Sequence, residues 1–560
     1  MLMPFNIPLV VTALLLFGSI GFAFLSLFKS NKVRGILKSH KYLIIVLLIA
    51  NVFFKYPASN HFFNGREYED AYVYNATGRY LAEQKNNSNY HSFLTASCVW
   101  GNLTNCQMSV TYSGHVIGFP FILYLLNILF GFNPLTANIV SLFLSCISII
   151  TLFVMAFYII DDIKYSVICC LLFTLIPIYN VFSSTTFSEP TSMAFVSLSL
   201  LIYLDFMTDL IDNKLRRYSL HLVALLFLMG FIILIKRENL IVALCLPLTS
   251  LIYNWADKKN IIYNDTMRKI LLFIPITIIC IWLAWAYIDF FNTIHCEEAD
   301  IGASAFSISY FYVNIAKYIK GLLLWNWYFV FSYLLFGGIL LLWKYKISIV
   351  PIIIYFGYLI LYTSHHRSYY FIKGGGVSEI DFVHYMINTI LIYSLIGGIG
   401  FYHLMNYIIK LITIKKRFAI YGLISLLTIG LCGLSYYYTY SLRKTYYEDE
   451  YMTRILPTKK TLDYISHSNA VIITSEPLLF QIYGPKSLYI IDLTSISMSN
   501  GALKIDKMID SRKVYFLDND IHHNYYDMHR WPYQMEYLNN KKKEIIYTEK
   551  ANFTLYKLTN

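Results

Sequence analysis

The sequence predicts an all-α polytopic membrane domain of about 12 transmembrane helices, with one interfacial helix on the outer face and a small C-terminal α/β extracytoplasmic domain. Three observations predict it. First, 57% of the 560 residues are hydrophobic and only 14% are charged, against roughly 25% charged in an ordinary soluble domain; the mean hydropathy is +0.52. Second, the apolar residues gather in runs of roughly the 20 residues that a bilayer requires. Third, the apolar runs stop at Tyr440, and a charged segment broken by turn residues follows. Together these exclude a soluble enzyme, a disordered chain and a disulfide scaffold.

The elements follow in order. A first span at about Phe5–Phe28 is followed by Lys29, Lys32, Arg34, Lys38 and Lys41. Such a basic loop belongs in the cytoplasm, which places the N-terminus outside. The span lacks a basic start and a small-x-small cleavage site, so it reads as a membrane helix and not a signal peptide. A second span, about Tyr42–Tyr56, leads out to a long polar stretch, Pro57–Gly114. Apolar runs then occur at 116–132, 135–160, 165–182, 190–208, 219–235, 239–255, 270–290, 321–343, 347–363, 382–404 and 418–440. Laying 116–132 on the outer surface puts the basic loops around Lys214, Lys258 and Lys415 inside, as the charge rule asks. The same rule accounts for the net charge of +12 without nucleic acid.

This divides the chain into a transmembrane domain, 1–440, with its first outer loop at 57–134, and an extracytoplasmic domain, 441–560. In the latter, Ala470–Thr474, Leu488–Asp492 and Val514–Leu517 read as buried strands. Helical stretches around 458–467, 477–483 and 502–510 separate them. Lys543–Thr548 and Phe553–Leu558 read as a closing hairpin. The domain carries no nucleophile elbow, phosphate loop or paired-carboxylate motif; capping a cleft, helping to bind an acceptor and a purely structural role are equally open to it.

The first outer loop holds the densest chemistry. Glu67, Glu69 and Asp70 stand within four residues. Such a cluster deprotonates a hydroxyl or binds a cation; the alternative is the solvated start of a surface helix. Asp70, Tyr74 and Gly78 share one helical face. His115 precedes the interfacial run, which ends Leu129-Phe130-Gly131. Further polar outer positions are Glu189 before Pro190, the turn Lys236-Arg237-Glu238-Asn239, and the basic loop His365-His366-Arg367 with Lys373 before three glycines. His384-Tyr385 opens a late span. His295-Cys296-Glu297-Glu298 lacks zinc-ligand spacing. Cys98 and Cys106 share the first outer loop, where an oxidising compartment would allow a bridge.

The spacing Asp70, Tyr74, Gly78, Arg79, Leu81 resembles the first-loop motif of the GT-C glycosyltransferases. Within that superfamily it is most similar to the protein O-mannosyltransferase and lipid A aminoarabinose transferase branch. His115, Pro120 and Leu129-Phe130-Gly131 echo the family's next element, and Ser183–Pro190, Lys236–Asn239 and His384-Tyr385 echo later ones. The sequence departs at Ala71, where the family has an acidic residue, and at His384, where many relatives have Arg.

The resemblance implies transfer of a sugar from a polyprenyl-phosphate carrier to a lipid, glycan or protein acceptor on the outer face of the cell membrane. In that chemistry Asp70 is the base, with Glu69 and Glu189 as further catalytic carboxylates. Tyr74, His115, Arg237, His365, His366, Arg367, Lys373, His384 and Tyr385 are the candidates for binding the lipid phosphate, donor or acceptor. A divalent metal ion among the acidic residues is the one cofactor allowed, and nucleic acid is no partner. The competing classes are a lipid-sugar transporter or flippase, and a polysaccharide polymerase or ligase. A transporter calls for paired halves and charges at the membrane midplane, whereas here the charges gather at helix ends. A polymerase would place its key loop late in the chain, and here the acidic loop is early.

Overall fold

In the computed structural model, the residues described are 6–59, most of 117–256, 349–364, 387–411, 414–443 and shorter runs within 74–82, 310–316 and 455–559. The expected spans 270–290 and 321–343 lie outside them.

The chain opens with α1 (Asn6–Lys29), a short α2 (Asn31–Ser39) and α3 (Lys41–Ser59). Ser30 caps α2 by accepting from the Val33 amide, which turns the chain between two apolar helices. After the first outer loop come α4 (Gly118–Phe130), α5 (Pro134–Ile159), α6 (Ile163–Thr174), α7 (Pro177–Phe182), α8 (Ser188–Ile211) and α9 (Leu215–Ile235). A 3₁₀ turn, Arg237–Asn239, leads into α10 (Leu240–Ala256). Later come α11 (Ile349–Thr363), a 3₁₀ turn at Ile387–Thr389, α12 (Ile390–Leu411) and α13 (Ile414–Arg443).

Among the described residues, four helices are long and apolar enough to cross a membrane, or five if the bent α2–α3 pair counts as one span. α4 has 13 residues, or about 20 Å of helix, which is short of a bilayer core of roughly 30 Å. The apolar run 165–182 is not one helix. Pro177 disfavours helical backbone at Ile176, whose φ of −79° and ψ of 108° separate α6 from α7.

Helices α5, α8 and α9 form the centre, with α8 packed between the other two and α1 laid along α9. Leu152, Phe153, Tyr203, Leu225 and Phe231 are fully buried there. The outward faces of α1 and α3 stay apolar and exposed, as at Phe17, Phe24, Ile49 and Phe53, as lipid-facing surfaces should be. A buried polar cluster pins one end of the bundle. Asp205 of α8 accepts from Ser30 Oγ at 3.0 Å and from the Tyr158 hydroxyl, and its other oxygen lies 2.9 Å from His221 Nε2.

Beyond α13, a helix α14 (Leu456–Tyr464) precedes strands β1 (Ala470–Thr474), β2 (Tyr489–Asp492), β3 (Lys513–Asn519), β4 (Lys542–Thr548) and β5 (Phe553–Thr559). They form one sheet in the order β2-β1-β3-β5-β4. β2, β1 and β3 run parallel, and β5 pairs antiparallel to β3 and β4. The fully buried run of β1 fits a central strand covered on both faces. Phe480, Leu488, Tyr515 and Leu555 belong to a separate core from that of the bundle.

Candidate active site

The site is built where α8 begins and α9 ends. Tyr74, in a helical stretch of the first outer loop, is buried. Its hydroxyl is 3.1 Å from Ser188 Oγ, and its ring meets the edge of Phe119 with centroids 5.3 Å apart. Gly78, one turn on, lies so close to α4 that a Cβ there would stand 2.7 Å from Leu123 Cβ. The spacing Tyr74–Gly78 therefore serves to lay the first loop against α4.

Glu189 follows Ser188 in the first turn of α8, where the helix dipole favours a carboxylate. Its Oε1 is 2.7 Å from Lys236 Nζ, and both side chains are nearly inaccessible. Burial alone would lower the Lys236 pKa, but the charges of Glu189 and Glu238 outweigh it and hold the ammonium above the ordinary lysine range. Lys236 closes the last turn of α9 through its amide to Ile232. Asn239 locks the turn that follows. Its Nδ2 donates to the Ile232 carbonyl at 2.7 Å and to Ser192 Oγ at 2.9 Å, and its Oδ1 accepts from the Tyr358 hydroxyl at 2.8 Å. α8, α9 and α11 thus meet in one buried polar network beside Tyr74.

Arg79 lies over the Phe132 ring, 4.7 Å from its centroid, and donates to the Gly484 carbonyl at 3.4 Å. Gly484 sits against Leu488, just before β2. The first outer loop therefore touches the sheet unit at the edge where its parallel strands begin.

Of the residues expected at the site, the structure brings Tyr74 and Glu189 to one place. Arg237 opens the 3₁₀ turn beside them. Asp70, Glu69, His115, His365, His366, Arg367, Lys373, His384 and Tyr385 lie outside the described residues, as do Cys98 and Cys106. Among the described residues no group of three His, Cys, Asp or Glu side chains could hold a metal ion. Sequence reading missed Lys236 as the partner of Glu189. A basic residue at the end of an apolar run was the visible signal, but the pairing joins residues 47 apart on different helices.

No family model matches the sequence, and no curated protein matches it. Solved structures do. ArnT from Cupriavidus metallidurans bound to undecaprenyl phosphate superposes with a TM-score of 0.61 at 9% identity, over 92% of this chain and 98% of that one. Its apo form gives 0.59 at 10% identity, over 93% and 98%. The Archaeoglobus fulgidus oligosaccharyltransferase, in complex with Zn and sulfate, gives 0.51 at 12% identity, over 92% of this chain and 72% of that one. Over nearly its whole length, then, the chain shares the fold of ArnT and of the archaeal oligosaccharyltransferase.

Proposed function

We propose that this protein transfers a sugar from a polyprenyl-phosphate carrier to an acceptor hydroxyl or amide on the outer face of the cell membrane. One observation carries the reading. The likeness to a GT-C enzyme solved with undecaprenyl phosphate spans almost all of both chains, membrane and sheet units alike. The buried network beside Tyr74, placed against the loop that bears Asp70, supports it.

In this reading Asp70 takes the proton from the acceptor, with Glu69 beside it. The acceptor atom bonds to the anomeric carbon, the carbon–oxygen bond to phosphate breaks, and the carrier leaves as the lipid phosphate. Glu189 is assigned a different role from that of a base. Its carboxylate is held by Lys236, so it positions the Lys236–Asn239 turn and with it Arg237. Arg237, His365, His366, Arg367 and Lys373 supply positive charge for the leaving phosphate. His115, His384 and Tyr385 are assigned to the acceptor and donor groups. Residues 441–560 form an extracytoplasmic cap on the first loop, a role supported by the Arg79–Gly484 contact.

The test is sugar transfer in purified membranes from a radiolabelled polyprenyl-phosphate sugar pool. Asp70→Asn is expected to lower transfer by roughly 10²–10⁴-fold at equal expression. Undiminished transfer would remove Asp70 from the mechanism, and absence of transfer by the native chain from every carrier tried would count against the class.

A further inference from the structure

A basic surface at the other end of the bundle takes no part in the site above. α2 (Asn31–Ser39) joins α1 to α3 and is bent 74° from α3. Where α3 crosses the membrane, α2 therefore lies near the plane of its surface. α3 separates it from the first outer loop, which departs beyond Ser59. The short helix has two faces. Val33 and Ile36 are buried against the bundle, whereas Asn31, Arg34, Gly35 and Lys38 are exposed. The exposed four have the i, i+3, i+4, i+7 spacing of one helical face. A Cβ on Gly35 would meet nothing within 4 Å. Lys29 before the helix and Lys41 after it are exposed as well. Among the described residues no carboxylate pairs with Lys29, Arg34, Lys38 or Lys41.

Basic residues keep a loop on one side of a membrane by charge alone. This face is built as well as charged. Ser30 accepts from the Val33 amide at 3.3 Å and donates to Asp205 at 3.0 Å. The buried Asp205 cluster thus fixes which way α2 faces. Lys32 is drawn toward that cluster, its Nζ 4.0 Å from the centroid of the Tyr158 ring. Arg34 lies over the Phe28 ring, 5.5 Å from its centroid, and donates to Asn31 Oδ1 at 2.6 Å. Lys41 Nζ lies 4.8 Å from the centroid of the Tyr42 ring. Both rings are exposed and border the exposed apolar surfaces of α1 and α3, as at Phe24 and Ile45. Two cations are therefore held on aromatic rings at the rim of the lipid-facing surface, where such rings mark headgroup depth. A fixed array of cations without counter-charge, bordered by lipid on both sides, is complementary to anionic headgroups.

We propose that α2, with Lys29, Arg34, Lys38 and Lys41, is a docking surface for the anionic phospholipids of the leaflet opposite the first outer loop. The proposal does not depend on sugar transfer. It is tested on the full-length chain in detergent, with bound lipids counted by native mass spectrometry. The probes are phosphatidylglycerol and phosphatidylcholine, which share a phosphate and differ in net charge. The native chain is expected to prefer phosphatidylglycerol at low salt and to lose that preference by about 0.5 M salt. Replacing Arg34, Lys38 and Lys41 together by Gln should weaken phosphatidylglycerol about tenfold or more and leave phosphatidylcholine unchanged. All three side chains are exposed, so the fold should tolerate the change. Should the triple variant not fold, Lys38→Gln alone decides, with a loss of several-fold. Replacing Lys214, Arg216 and Arg217 by Gln removes as many charges around the start of α9 and is expected to keep the preference. An equal or greater loss in that second variant would make the effect one of net charge and overturn the proposal. So would an unchanged preference in the α2 variant, or a native chain that does not distinguish the two lipids.

Discussion

Lys236 and Glu189 come from different helices and are both out of water, so each makes the other tolerable. Removing one half leaves a bare charge. Glu189→Gln is expected to destabilise the fold by about 3–5 kcal/mol, whereas replacing both residues by Met should be close to neutral. Unfolding midpoints of the two variants check this, and a mild Glu189→Gln would mean that Glu238 alone satisfies Lys236. The pair also has a defined pH signature. The folded pKa of Lys236 lies above its unfolded value. Its contribution is therefore complete below the unfolded value of about 10.4 and is lost only as pH rises through the higher folded one. No Lys236-dependent fall in stability is expected between about pH 7 and pH 9; one that is absent from Lys236→Met would contradict the pairing. None of this partnership was legible in the sequence. Glu189 and Lys236 were each visible as charges at the ends of apolar runs, but a chain shows no pairing across 47 residues.

Helices here are read easily and joined less easily. The apolar runs at 135–160 and 190–208 became α5 (Pro134–Ile159) and α8 (Ser188–Ile211) almost unchanged, because each is a stretch long and apolar enough to cross a membrane. The run 165–182 was misleading for the same reason. Pro177 broke it into two helices without altering its hydropathy. How closely elements pack is decided by small residues. A Cβ on Gly118 would stand 2.5 Å from the Leu234 carbonyl oxygen, a backbone atom of α9 that cannot swing away. Gly118→Ala is expected to cost about 1–3 kcal/mol by separating α4 from α9. Gly21, in the middle of α1, has nothing within 4 Å of such a Cβ. Gly21→Ala should therefore be neutral or stabilising, by up to about 1 kcal/mol. Thermal unfolding of both variants tests the contrast, and equal effects would mean that the α4–α9 contact yields easily.

At the scale of the molecule, Arg79 is the side chain that ties the first outer loop to the sheet unit. It rests on Phe132 and reaches the Gly484 carbonyl. Arg79→Ala is expected to weaken this junction by about 1 kcal/mol. Amide hydrogen exchange should rise around Gly484 and stay unchanged in the core of α8. A protected junction in the variant would show that the sheet unit is held by other contacts.

The sequence by itself determined the class of this protein. Composition and runs of apolar residues require helices in a membrane, because a backbone in lipid must satisfy its hydrogen bonds internally. Beyond Tyr440, apolar runs bounded by turn residues marked the strands to within about two residues, as at Ala470–Thr474. The family resemblance of the first loop singled out Tyr74 and Arg79. Only the tertiary structure decided what they touch. Tyr74 meets Ser188, Arg79 meets Gly484, and Lys236 meets Glu189. The physical reason is the same in each case. Hydropathy is a property of local sequence, whereas compensating a buried charge or hydroxyl takes a partner that only packing between distant helices supplies.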